Sequence, residues 1–183
     1  MPLLETRASA SAQGYGLFGA TSTGNFFLIQ QLSPSAVSTI TFNSIPATYK
    51  SLQVRFNLVT TSSGIVVQTQ LNGDTGTNYA SHGLGGVSST ANAQGITARA
   101  YMANNFLGTV TTYPNVGIID ILDYANTNKN KTVKTLFGAN NNTATGSIEI
   151  NSGLWLSTSA ITSLTLLVIA GTYTGTISLY GVS

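Results

Sequence analysis

Apolar and polar residues alternate most cleanly over residues 51–59, where Leu52, Val54, Phe56 and Leu58 interleave with Ser51, Gln53, Arg55 and Asn57. A period of two gives a strand one buried and one wet face. Residues 64–71 repeat the pattern, with Ile65, Val67, Thr69 and Leu71 on one side. The turn-like stretch TTSSG lies between the two runs, which predicts a hairpin. Further strands are expected over residues 25–32, 37–42, 115–125, 131–139, 146–150, 153–157, 163–171 and 175–182. The breaks are rich in Gly, Asn, Ser and Thr, as turns are. Helical periodicity is absent, and β-branched Thr and Val are common.

Roughly ten short strands with regular punctuation predict an all-β fold, an antiparallel β-sandwich of jelly-roll type. Two stretches depart from this pattern. Residues 85–114 hold apolar patches without periodicity and read as a long loop with one or two short strands, the kind of excursion that tends to be functional. Residues 1–24 are small, polar and glycine-rich, with no alternation. They read as an N-terminal docking arm, leaving residues 25–183 as a single sandwich domain. Within the arm, Leu3, Leu4, Tyr15, Leu17 and Phe18 would be wasted in solvent, so they are the expected partner-docking residues. Trp155 joins them, because flanking Leu154 and Leu156 inward would turn the indole outward as an interface anchor or a sugar platform.

Composition sharpens the functional reading. Charged residues are only 7% of the 183-residue chain, while Ser, Thr and Asn fill 63 positions; an ordinary domain carries about 25% charge. Such a surface suits a protein that packs beside other copies, since few charges need pairing at contacts. The expected state is a homo-oligomer, a trimer in first place, whose contacts cover its sheet edges. The net charge is +2, and three of the seven cations (Lys129, Lys131, Lys134) are clustered, so no basic face for nucleic acid is expected. Cysteine is absent. No apolar run approaches the ~20 residues of a membrane span, and Glu5 and Arg7 interrupt the stretch that a secretory signal would need.

Candidate chemistry concentrates in residues 70–84, QLNGDTGTNYASHGL. As a calcium loop the stretch supplies Asn72, Asp74 and Asn78, one carboxylate with no closing glutamate. As a hydrolase it supplies Asp74 and His82 beside Ser81, Ser88 and Ser89, without a nucleophile elbow. A turn in which Asn72 and Gly73 take positive φ explains it better, leaving His82 as a hydrogen-bonding group at a turn or a subunit contact. The carboxylates are Glu5, Asp74, Asp120, Asp123 and Glu149; Asp120 and Asp123, three apart on a strand, face opposite ways and do not form a glycosidase pair. Arg55 or Arg99 would balance them, within the chain or across a subunit boundary. No catalytic residue, cofactor or metal is expected, and the chain is read as not an enzyme.

Several ordered stretches carry a resemblance: SIPATYKSLQVRF, LNGDTGTNYASHGL, GIIDILDYANTNKNKTVKTLFG, SGLWLSTSAITSLTLLV and the ending ISLYGVS. Together with LETRASASAQGYGLFGA at the start, the chain resembles tailed-bacteriophage virion accessory proteins over nearly its whole length. The resemblance implies a β-sandwich on the outside of a particle assembled in the host cytoplasm, with major capsid or other virion proteins as partners and no catalytic residues. It implies a capsid decoration or cement protein, or alternatively a head or tail fibre module that binds host surface glycan or protein. The absence of a stalk-forming repeat favours decoration.

Overall fold

A computed structural model describes residues 25–62, 65–107, 113–140, 142, 146–168 and 170–183. The arm residues Leu3, Leu4, Tyr15, Leu17 and Phe18 lie outside the described residues. Twelve strands are described: β1 (Phe26–Leu32), β2 (Thr39–Phe42), β3 (Ser51–Thr60), β4 (Ile65–Leu71), β5 (Tyr79–Val87), β6 (Thr90–Arg99), β7 (Met102–Leu107), β8 (Asn115–Leu122), β9 (Lys131–Ala139), β10 (Ser147–Trp155), β11 (Leu164–Val168) and β12 (Tyr173–Val182). They form an eight-stranded sheet, β1-β12-β3-β8-β9-β10-β5-β6, and a four-stranded sheet, β2-β11-β4-β7. All their pairings are antiparallel. The chain is therefore an all-β antiparallel sandwich.

The core follows from the period-two pattern. Leu52, Val54, Phe56 and Leu58 of β3, Ile119 and Ile121 of β8, and Ile177 and Leu179 of β12 point inward from the large sheet. Phe42, Val67, Leu71, Leu164 and Leu166 belong to the same buried cluster from the small sheet. Four strand pairs are nested from outside in, β1 with β12, β2 with β11, β3 with β8 and β4 with β7. The remaining strands, β5, β6, β9 and β10, widen the large sheet beyond β8.

Two sequence expectations need correction. Residues 51–59 and 64–71 do not form a hairpin: β3 lies between β12 and β8, and β4 lies in the other sheet between β11 and β7. Alternation defines which face of a strand is buried, not which strand lies beside it. Here the chain changes sheet after Thr60, where Thr61 N donates to Thr172 O (3.2 Å). Nor are residues 85–114 mainly a long loop. β5 runs to Val87 and turns through Ser88 (φ 56°) into ten-residue β6. β6 is exposed at every position except half-buried Ile96, so it has no buried face to impose an alternation.

The tightest backbone approach in the large sheet is at Gly175 (φ 145°), where a Cβ would sit 2.2 Å from Asn57 O and 3.1 Å from Leu58 Cα. Gly175→Ala is expected to cost about 2–3 kcal/mol, from a disfavoured dihedral and a clash with immobile backbone. In urea denaturation this appears as a lower midpoint at unchanged slope.

Candidate functional site

The 72–78 loop is structural in every contact described. Asn72 (φ 53°) and Gly73 (φ 67°) reverse the chain after β4, as the sequence pattern predicts. Asn72 Oδ1 accepts from Thr162 N (2.8 Å) and Ser163 N (3.1 Å), and its Nδ2 donates to Ala160 O (2.7 Å). Asp74 accepts from Trp155 Nε1 (2.7 Å), Asn78 Nδ2 (2.9 Å) and Gly76 N (2.8 Å). The Trp155 bond, above all, holds the Asp74 carboxyl below its ordinary range, with help from Asn78 and against partial burial. Among the described residues no group of three or more His, Asp or Glu is placed to hold a metal ion.

Trp155 does not face outward. It is 3% exposed and stacks on buried Tyr79, with ring centroids 6.2 Å apart and planes at 12°. The cause is parity. Residues 153–155 are the end of a longer strand whose inward positions are Glu149, Asn151, Gly153 and Trp155. Leu156 lies beyond the strand and is 54% exposed. A buried indole needs a partner for its N–H, and Asp74, distant in sequence, supplies it. Trp155 is thus a core residue and not a surface anchor.

That same parity turns aliphatic side chains outward. Ile148 and Ile150 of β10 are 61% and 52% exposed. The room inside goes to polar groups over glycines: a Cβ at Gly85 would lie 2.3 Å from Glu149 Cγ, and one at Gly83 would lie 2.1 Å from Asn151 Oδ1. Register aligns the outward residues into cross-strand rows. One runs Ile118–Leu136–Ile150–Leu84–Ala93 across β8, β9, β10, β5 and β6. A second runs Val116–Gly138–Ile148–Gly86–Ala91. Leu84, Val116, Leu122 and Leu136 are all large exposed hydrophobics. Large contiguous apolar surface is uncommon on an isolated domain.

Beside these rows lies a polar one, Asp120–Lys134–Ser152–His82–Gly95. The His82 ring rests over Gly95, where a Cβ would meet it at 2.9 Å. His82 is therefore a mid-strand residue on the outer sheet face, not a turn residue. Asp120 accepts from Gln53 Nε2 (2.6 Å), and Gln53 Oε1 accepts from Arg55 Nε (2.5 Å). The Arg55 guanidinium lies over the rings of Phe26 (4.4 Å) and Tyr180 (5.0 Å). Asp123, beyond the strand end, pairs with Lys129. Arg55 thus reaches Asp120 through Gln53, and Asp123 has a partner that the sequence reading did not consider.

The polar row and the Leu84–Ile150 end of the first aliphatic row line one open trough of ≈ 940 Å³, with Leu122 at its lip. A serine between a lysine and a histidine invites a catalytic reading, but the backbone N–H groups around Ser152 belong to the ladders with β9 and β5. Acyl transfer needs free donors converging on an oxyanion.

Sequence reasoning missed this face, although one signal for it is present. β8 carries Val116 and Ile118 at one parity and Ile119 and Ile121 at the other, and a strand apolar on both faces expects cover on both. No protein-family model matches the chain, and no curated protein matches it.

Proposed function

We propose that the protein is a structural subunit of a tailed-bacteriophage particle, a jelly-roll sandwich that assembles with copies of itself and with neighbouring virion proteins. The observation that carries this reading is the aliphatic outer face of the widened half of the large sheet. Val116, Leu136 and Ile148 stand 50%, 42% and 61% exposed there. The nested pairing of β1 with β12, β2 with β11, β3 with β8 and β4 with β7 supports the jelly-roll assignment, because rolling up one long antiparallel hairpin produces that order. The low charge of the chain and the resemblance of its ordered motifs to those of phage virion accessory proteins support the rest.

The test is a full chain carrying Val116→Asp and Ile148→Asp. Light scattering at micromolar concentration is expected to show an oligomer, a trimer by preference, for the native chain and a monomer for the variant. The variant should keep its melting temperature, since both positions face outward, and lose incorporation into particles. A monomeric native chain together with full incorporation of the variant would sink the reading.

A receptor-binding role is the second reading, favoured by the polar row of His82, Ser152, Lys134 and Asp120 in the trough. It stands second because, among the described residues, no Phe, Tyr or Trp lines the trough and Trp155 is stacked inside. Binding to a host-surface glycan panel, lost in Ser152→Arg, is the result that would bring it forward.

A further inference from the structure

We infer that the free edge of β6 is a contact between two copies of this chain, β6 pairing antiparallel with its counterpart about a twofold axis beside Ala93. β6 ends the large sheet, and among the described residues it pairs with β5 alone. Both its faces are open, since every position is exposed except half-buried Ile96. A strand that buries so little gains little from the hydrophobic effect to offset the entropy of its ordering. Unpaired N–H and C=O groups along an edge invite pairing, and proteins blunt such edges with short strands, bulges, prolines or lysines. The other three edges carry devices of this kind. β2 has four residues, β1 shifts register between Leu28 and Gln30, and the pairing of β7 with β4 shifts between Val67 and Gln68. β6 instead keeps seven consecutive pairs in register with β5, from Val87↔Thr90 to Ser81↔Ile96. Its sequence, TANAQGITAR, holds no lysine, proline or carboxylate.

The occupant follows from the strand's self-complementarity. Its flat stretch, residues 90–96, is bounded by the turn at Ser88 (φ 56°) and by Ala98 (φ 53°), and Ala93 is its centre. Antiparallel pairing of this stretch with itself sets Ala93 against Ala93, Asn92 against Gln94 and Ala91 against Gly95 of the second copy. Alanine and glycine leave no bulky side chain to clash, and the amides carry donor and acceptor in either orientation. The strand's single charge, Arg99, lies beyond the paired stretch, so no like charges meet. A twofold pairing also uses both edges and closes. Pairing β6 with the bulged β1 of another copy would leave edges free to propagate. On the outer face the row Ile118–Leu136–Ile150–Leu84–Ala93 then runs on into its own counterpart.

Pairing over so short a stretch buries less than the roughly 1,000 Å² of a stable interface. The contact therefore forms where copies are crowded and does not register in light scattering of dilute protein. It needs neither the aliphatic face nor a particle, so it holds or fails separately from the proposed function. The absence of native cysteine allows trapping in the full chain. In this register Ala93→Cys sets two thiols on Cα atoms about 5 Å apart, within disulfide reach, whereas Ala91→Cys sets them about 14 Å apart. On mild oxidation of concentrated protein, Ala93→Cys is expected to form covalent dimers roughly tenfold or more faster than Ala91→Cys. Adding Asn92→Asp with Gln94→Asp opposes like charges across the pair and should remove that advantage. Adding Asn92→Lys with Gln94→Asp opposes unlike charges and should keep it. All these positions are exposed, so native Trp155 emission confirms the fold of each variant. Equal rates for Ala93→Cys and Ala91→Cys would overturn the inference. Ala93→Cys in the Val116→Asp, Ile148→Asp chain should cross-link as fast as it does alone, even where that chain loses assembly. Loss of the cross-link there would overturn the edge contact in favour of the aliphatic face.

Discussion

Lys131→Met is expected to lower stability by about 3–4 kcal/mol while leaving the outer face unchanged. Lys131 opens β9, is 1% exposed and points inward beside Trp155 in the register of β9 and β10. Its ammonium donates to Asn126 O (2.5 Å), Lys129 O (2.9 Å) and Thr158 O (3.0 Å). One charge thereby ties the loop after β8 to the loop after β10. Hydrogen bonds from a charged donor contribute about 1.5–3 kcal/mol each, less than additively, and carbonyls left buried without a donor cost more. Burial, then the neighbouring Lys129 charge, holds the Lys131 amine below its ordinary value of 10.5, with Asp123 opposing. Methionine keeps the apolar stem and removes only the donors. Urea denaturation followed by the emission of Trp155, the single tryptophan, gives the number. A loss under about 1 kcal/mol, typical of a surface ion pair, would show that water can replace the ammonium.

Lys131 also shows why the fold was more legible than the site. In sequence it is one of three lysines in a polar stretch, and nothing local separates it from Lys129, which is exposed in its pair with Asp123. Burial of a lysine is decided by which carbonyls converge on it, and those come from residues 126, 129 and 158. Strands behave differently. Their period-two signal is local, so β3, β8 and β12 could be read before any partner was known. Pairing could not be read, because the nested order joins strands far apart in the chain, as β1 joins β12. The candidate site suffered most. On β10 the aliphatic residues and Trp155 fall on opposite parities, and hydrophobicity alone would put Ile148 and Ile150 inside. What reverses them is the combination of Gly83, Gly85 and Gly153, which make room inside the sandwich, with an indole that has a carboxylate waiting. Ile148 and Ile150, left outside, form part of the exposed aliphatic face.

Asp74→Ala is expected to cost about 2–3 kcal/mol at neutral pH and to flatten the acid limb of the stability curve. The native carboxylate accepts three hydrogen bonds, and the strongest effect on its ionisation comes from Trp155 Nε1. Alanine would leave a 3%-exposed indole N–H without its acceptor, and a buried donor left unpaired costs about 1–3 kcal/mol. The sign of the pH effect follows from linkage. The folded pKa lies below the unfolded value of 3.8, so at acid pH the unfolded chain binds more protons. Stability from Asp74 is fully present above that unfolded value and is lost as pH falls through the folded one. Between about pH 5 and pH 2, the native protein should lose stability while Asp74→Ala, already without this term, loses less. Asp74→Asn is the sharper variant. Oδ2 accepts from both Trp155 and Asn78, while Oδ1 accepts from Gly76 N. An amide supplies one acceptor, so it serves one side and sets an NH₂ against a donor on the other. Its Trp155 emission should shift toward that of a solvated indole if the amide nitrogen takes the indole side, and stay native if the oxygen does. Parallel acid limbs for the native chain and Asp74→Ala would show that the loop's carboxylate is not what holds Trp155 inside.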